Sequence, residues 1–172
     1  TDYKGYAYNL QASTSVAGGS AKLGYLFVSG DTNTGDKNTQ FQPVQAAATS
    51  TFNDSGMMLM IRNNKFATTS TNFMKGDAVS NIALAYAGYN KSLTDKLSFD
   101  LNVGLGWDNT DTSATATGQK GDFIGTEVNA ELAYKLYKEL TVAAQVGYIS
   151  LGSQYDAYKD PYAVRLAVTY SF

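Results

Sequence analysis

The 172-residue chain contains no cysteine and no histidine. That excludes disulfides and removes the usual ligands of structural zinc and the commonest general base. Proline is scarce, with two residues, and 13 Lys and Arg stand against 15 Asp and Glu. A net charge of −2 gives no electrostatic reason to expect nucleic acid as a partner. No stretch approaches the ~20 consecutive apolar residues of a membrane-spanning helix. The serines have no histidine to activate them, and no Gly-rich phosphate loop is present. Neither an enzyme active site nor a cofactor is expected. The opening "TDYKGYAYNL" has no leading signal peptide, so the chain is expected to be mature, processed or cut from something longer.

What the sequence does hold is tyrosine (13), glycine (16) and period-two alternation. At the C-terminus, Tyr162, Val164, Leu166, Val168, Tyr170 and Phe172 fall on one face of an extended chain. Ala163, Arg165, Ala167, Thr169 and Ser171 fall on the other. This is a strand with one apolar and one polar side, and its end is expected to be docked in a sheet. The pattern recurs in "LTVAAQVGYIS", "FIGTEVNAELAYKL" and "LSFDLNVGLGW". It is noisier around Ile82, Leu84 and Tyr86, around Leu23, Tyr25 and Phe27, and around Tyr6, Tyr8, Leu10 and Ala12. These seven segments are longer than the ~5–6 residues of ordinary strands and suit tilted membrane strands.

Tight connections at 17–20, 90–96 and 137–139 alternate with long ones at 30–77, 108–122 and 152–161. Short turns on one rim and long polar loops on the other are the layout of bacterial outer-membrane barrels. The aromatics sort the same way. Tyr170, Tyr134, Tyr137, Phe99 and Tyr89 gather at the turn rim, and Tyr162, Tyr148, Trp107, Phe27 and Tyr6 at the loop rim. Two belts are what anchoring at headgroup level predicts. The fold expected is all-β: a transmembrane antiparallel β-barrel, with residues 1–172 its C-terminal part of about seven to nine strands. An odd strand count places Thr1 on the extracellular side. A preceding barrel segment or a second chain is therefore expected to complete the wall.

The expected lipid face carries Leu, Val, Ile, Phe and Tyr. The opposite face carries Lys22, Asp100, Asn102, Glu127, Asn129, Glu131, Lys135, Gln145 and Arg165, the candidate channel-lining set. It also carries many small residues: Gly104, Gly106, Gly125, Ala133, Ala143, Gly147, Ala163 and Ala167, with Ala83, Ala85 and Ala87 assigned to it as well. Small inward residues imply a wide, wet lumen or one filled by something folded in. The apolar run Met57–Ile61, inside the long segment 30–77, is a candidate filler. It reads either as an inserted loop or as one strand of an extra hairpin within 39–66. Opposed charges in a pore would filter polar solutes by their transverse field, or would pair to hold the wall. Glu127 and Glu131, four residues apart on one strand, lie ~13 Å apart. That is too far for the ~6.5–9.5 Å of an inverting glycosidase pair. Asp31, Asn33 and Asp36 are spaced like part of a calcium loop but lack its distal Glu, so they read as a solvated acidic loop and not a metal site.

The terminal strand ending in Phe172 resembles the assembly signal of bacterial outer-membrane proteins. Residues 25–44, "YLFVSGDTNTGDKNTQFQPV", resemble a stretch of alginate-export-type porins through Ser29, Gly30, Asp31, Asp36, Phe41 and Pro43. These resemblances imply an outer-membrane, porin-like channel of more than a dozen strands that passes hydrophilic solutes. The alternative is a plugged structural or receptor barrel that binds a protein partner or sheathes a conduit component.

Overall fold

The computed structural model describes residues 2–30, 37–41, 55–61, 81–109 and 121–172. Among these, seven long strands form one antiparallel sheet in which each strand pairs with the next in sequence. They are β1 (Ala7–Val16), β2 (Gly19–Val28), β3 (Ile82–Ser92), β4 (Leu97–Asp108), β5 (Phe123–Lys135), β6 (Leu140–Leu151) and β7 (Tyr162–Tyr170). The sheet is open, with β1 and β7 as its edges. A two-residue parallel ladder joins Asp2–Tyr3 to Lys37–Asn38 beside it.

The connections have local causes. Ala17 (φ 51°) and Gly18 (φ 74°) both take the left-handed conformation that a two-residue hairpin turn needs to match strand twist. Lys91 Nζ donates to the Ala17 carbonyl over 2.9 Å and steadies that turn. Between β3 and β4, Thr94 Oγ1 accepts from the N–H groups of Lys96 (3.2 Å) and Leu97 (3.0 Å). Between β5 and β6, Tyr137 and Leu140 exchange backbone hydrogen bonds of 3.2 Å. Near the opposite end, Gly125 (φ 147°) sits across from a register shift at Gly106/Trp107, in a conformation that side chains rarely adopt.

The two faces differ in chemistry. On the outer face, Leu101, Val103 and Leu105 of β4, Val128 and Leu132 of β5, and Val146 of β6 are all exposed. Lys91, at the turn end, is the one charge on the outer face of the seven strands. Aromatics sit towards its ends. Phe27 stacks on Tyr6 (5.5 Å) and Tyr8 (5.3 Å), and Trp107 meets Phe123 (5.5 Å). Tyr170 meets Phe172 (6.2 Å) at the turn end.

Residues 55–61 cover the loop-end half of the inner face. Met57, Leu59, Met60 and Ile61 pack into one buried cluster with Leu26, Val28, Ile82, Leu84, Tyr86, Ile124 and Ile149. Glycines on the sheet provide the room. A Cβ on Gly104 would stand 2.5 Å from Met57 Sδ, one on Gly106 would strike Met60 Sδ, and one on Gly147 would press on Met58 and Leu59. These small inward residues are the imprint of the covering segment.

This packing corrects one expectation. Register places Ile82, Leu84 and Tyr86 on the inner face, opposite Asp108, Gly106 and Gly104, and turns Ala83, Ala85 and Ala87 outward. The large side chains of β3 point inward because half of the inner face is a dry core, and core volume must be filled to crystal-like density. Tyr86 is 2% exposed, and its ring occupies the space that Gly24 leaves. Tyr86→Ala is therefore expected to lower the unfolding free energy by about 3–5 kcal/mol. Ala85→Leu, on the opposite face, should cost under about 1 kcal/mol. Chemical unfolding of the purified protein measures both, and the reverse ranking would restore the outward assignment of Tyr86.

Candidate functional site

Hydrogen-bonded register aligns seven inward residues in one line across the sheet: Ser15, Ser20, Asn90, Asp100, Glu131, Gln145 and Arg165. One step towards the loop end lies a second line, of Ser13, Lys22, Gly88, Asn102, Asn129, Gly147 and Ala163. Successive lines are ~7 Å apart, because inward residues recur at every second position. The candidate residues Asp100, Glu131, Gln145 and Arg165 thus share the first line, and Lys22, Asn102 and Asn129 the second. Glu127 stands in the third, opposite Gly104 and Ile149. Lys135, opposite Thr141, is exposed near the turn end and away from the others.

Hydrogen bonds connect these lines. Asp100 accepts from Asn90 Nδ2 (3.3 Å) and from Asn102 Nδ2 (2.5 Å). Asn102 Nδ2 also lies 3.2 Å from Asn129 Oδ1. Asn129 Nδ2 donates to Glu127 Oε1 (2.8 Å) and to the Gly56 carbonyl (3.0 Å). Gln145 donates to Glu131. Lys22 Nζ sits 5.8 Å from the centre of the Tyr86 ring, within cation–π range. The Tyr86 hydroxyl is 2.9 Å from Asn9 Oδ1 and 3.2 Å from Gln11 Oε1.

Glu127 ends this network. Its carboxylate accepts three consecutive backbone N–H groups: Met58 (2.5 Å), Leu59 (3.1 Å to each oxygen) and Met60 (2.6 Å). Successive N–H groups turned to one side form a concave anion-binding nest. Here the anion is a side chain of the sheet, with no exposed surface. An isolated buried carboxylate is costly, and four donors, three of them backbone, offset that cost. Glu127 faces inward beneath the segment it holds, whereas Asp100 and Arg165 beyond that segment are only half-buried. Within the first line, Asp100 and Arg165 stand partly open, whereas Glu131 and Gln145 are buried.

At the loop end, Asp108 accepts from Gln154 Nε2 over 2.8 Å, tying the 3-10 turn Ser153–Tyr155 to β4. Asp160 accepts from the Tyr148 hydroxyl (2.6 Å) and the Leu151 N–H (2.9 Å), which ties the β6–β7 connection back to β6. In the stretch 25–44, Ser29 Oγ accepts from the Tyr6 N–H (2.9 Å) and donates to the Thr39 carbonyl (2.8 Å). Asp31, Asn33, Asp36 and Pro43 lie outside the described residues. Sequence reasoning missed Asn90, Ser15 and Ser20 in the first line. Counting outward from the hairpin turns would have found them, since each turn fixes its register. It could not have found the partners of Glu127, which are backbone groups up to 69 positions away.

No family model matches this chain, and no curated protein matches it.

Two outcomes follow. Glu127→Ala would leave three N–H donors unsatisfied, at about 1–3 kcal/mol each for a fully buried group. Amide exchange at Met58, Leu59 and Met60 should accelerate by at least about tenfold, with strands β4 and β5 unchanged. Equal acceleration throughout would mean that Glu127 supports the whole sheet rather than the segment. Separately, hydrogen bonds from Tyr148 and then from the Leu151 N–H hold the Asp160 carboxyl below the usual aspartate value. A group whose pKa falls on folding stabilises above its unfolded pKa, and that contribution is lost as pH drops through the folded one. The β6–β7 connection should therefore stay tied down to about pH 4 and loosen only below it. Proteolysis of residues 152–161 across pH 6 to 3 checks this, and Asp160→Asn should be cut at a rate that does not change with that tie.

Proposed function

We propose that the sheet is part of the wall of a transmembrane β-barrel in a bacterial outer membrane, working as a porin-like channel for passive passage of hydrophilic solutes. The observation that carries this reading is the opposition of the two faces. Large apolar side chains stand open on an outer face with a single, rim-located charge, while carboxylates, amides and a guanidinium line up on the inner face. A solvated sheet has its polar side outward; here it is the inner, partly covered side that is polar, which suits a wall between hydrocarbon and water. Strands of 9 to 13 residues suit a tilted crossing. Aromatics at both ends of the outer face suit headgroup anchoring.

The first line would act as the filter. Asp100 and Glu131 stand on adjacent strands and Arg165 two strands further, giving a transverse field across one side of the passage. Two carboxylates to one guanidinium suit neutral or cationic hydrophilic solutes better than an anionic polymer. The porin resemblance of residues 25–44 supports a channel without specifying its cargo.

A second reading has its own observation. Residues 55–61 already fill half of the inner face, as they would in a plugged structural or receptor barrel whose loops bind a partner. Bilayer conductance separates the two. Stepwise currents are expected, with Glu131→Gln shifting the reversal potential towards anion preference and Arg165→Gln shifting it the opposite way. A barrel that inserts and stays silent supports the plugged reading. A chain that is monomeric and soluble in detergent-free buffer ends both.

A further inference from the structure

Residues 55–61, "SGMMLMI", lie over the loop-end half of the inner face as an uncharged strip. Two neighbouring side chains of β5 hold it. Glu127 gathers the N–H groups of Met58, Leu59 and Met60, and Asn129 Nδ2 donates to the Gly56 carbonyl. Gly56 has φ 82°, and a Cβ there would stand 2.7 Å from Asn102 Oδ1, so the strip is fitted to β4 as well. Beneath it, Gly104, Gly106 and Gly147 leave the hollows that Met57, Met60 and Leu59 enter. The strip is thus set at one height above the sheet, by a carboxylate that grips it and by side chains that are missing.

Glu127 is placed unlike a group that meets solutes. It has no exposed surface, whereas Asp100 and Arg165 in the first line are half-buried. It stands ~13 Å along β5 from Glu131, two lines nearer the loop end. Both of its oxygens are engaged: Oε1 accepts from Met58, Leu59 and Asn129, and Oε2 from Leu59 and Met60. Donor dipoles at contact distance oppose the carboxylate's charge, so little of its field reaches beyond them.

The geometry points to Glu127 as a positioning residue for size selection: it holds residues 55–61 at the height that narrows the passage, and takes no part in sorting solutes by charge. This deepens the channel reading above and rests on it. Two filters then stand in series. The strip limits a solute's cross-section at the loop-end level, and the first line sorts by charge nearer the turns. Because the strip carries no charge, its limit is the same for neutral and charged solutes of one size.

The test is planar-bilayer conductance of the full protein with neutral polyethylene glycols of graded mass, which lower the current only when they enter. Glu127→Gln keeps the side chain's shape, removes its charge and turns an N–H donor towards the gathered N–H groups. It should shift the polymer exclusion limit upwards and leave the reversal potential at the wild-type value, with β4 and β5 amides exchanging within about tenfold of wild type. Gly104→Val, which displaces Met57 from β4 without touching the carboxylate, should shift the limit in the same direction. Asp100→Asn should do the reverse, moving the reversal potential and leaving the limit in place. If Glu127→Gln moves the reversal potential as Asp100→Asn does, with the limit unchanged, the inference is overturned and the channel reading stands. Loss of protection throughout the sheet in place of a shifted limit also overturns it. A silent wild type beside a conducting Glu127→Gln overturns the open-channel reading and keeps Glu127 as the residue that sets the strip. Silence in every variant removes both.

Discussion

The carboxylate of Glu127 and the three N–H groups it gathers are the interaction on which the inner face depends. Backbone donors buried over an apolar floor must find acceptors, and residues 58–60 find theirs in one side chain of β5. That contact fixes the height at which Met57 and Met60 enter the cluster. The glycines below them are matched to it: Gly104 lies beneath Met57 and Gly106 beneath Met60. The hydrogen-bonded chain from Asn90 through Asp100, Asn102 and Asn129 then reaches Glu127 without a break, so the open polar line and the covered apolar half are one connected structure.

The inner face therefore does two jobs at two levels. Towards the loop end it is a protein interior, with Leu26, Leu84, Tyr86 and Ile149 against the covering segment. Towards the turns it is polar and partly open. The outer face does one job along its whole length, presenting side chains without charge until the rim. An aqueous protein of this size would be penalised for that surface; a bilayer would reward it. The proposed channel reading rests on that asymmetry.

Much of the fold was legible because a strand's alternation is local. Tyr162 to Tyr170, Leu140 to Tyr148 and Leu97 to Trp107 announce their faces within a few residues, with no knowledge of their neighbours. Of the candidate residues, Asp100, Glu131, Gln145 and Arg165 were identified from the same alternation. Their alignment in one line was not, because register across four strands depends on turn geometry and on the shift at Gly106/Trp107. Strand β3 was the misreading. In Ile82–Ala83–Leu84–Ala85–Tyr86–Ala87 both faces are apolar, so alternation marks two sides but cannot say which is inward.

The sequence by itself determined the seven long, two-faced strands of the described residues, since a period of two is imposed by the extended backbone on every residue in turn. Only the tertiary structure decided which way β3 faces, what lies over the inward glycines and what Glu127 holds. Those facts rest on contacts between residues far apart in the sequence, such as Met58 and Glu127 at 69 positions, which no local pattern encodes.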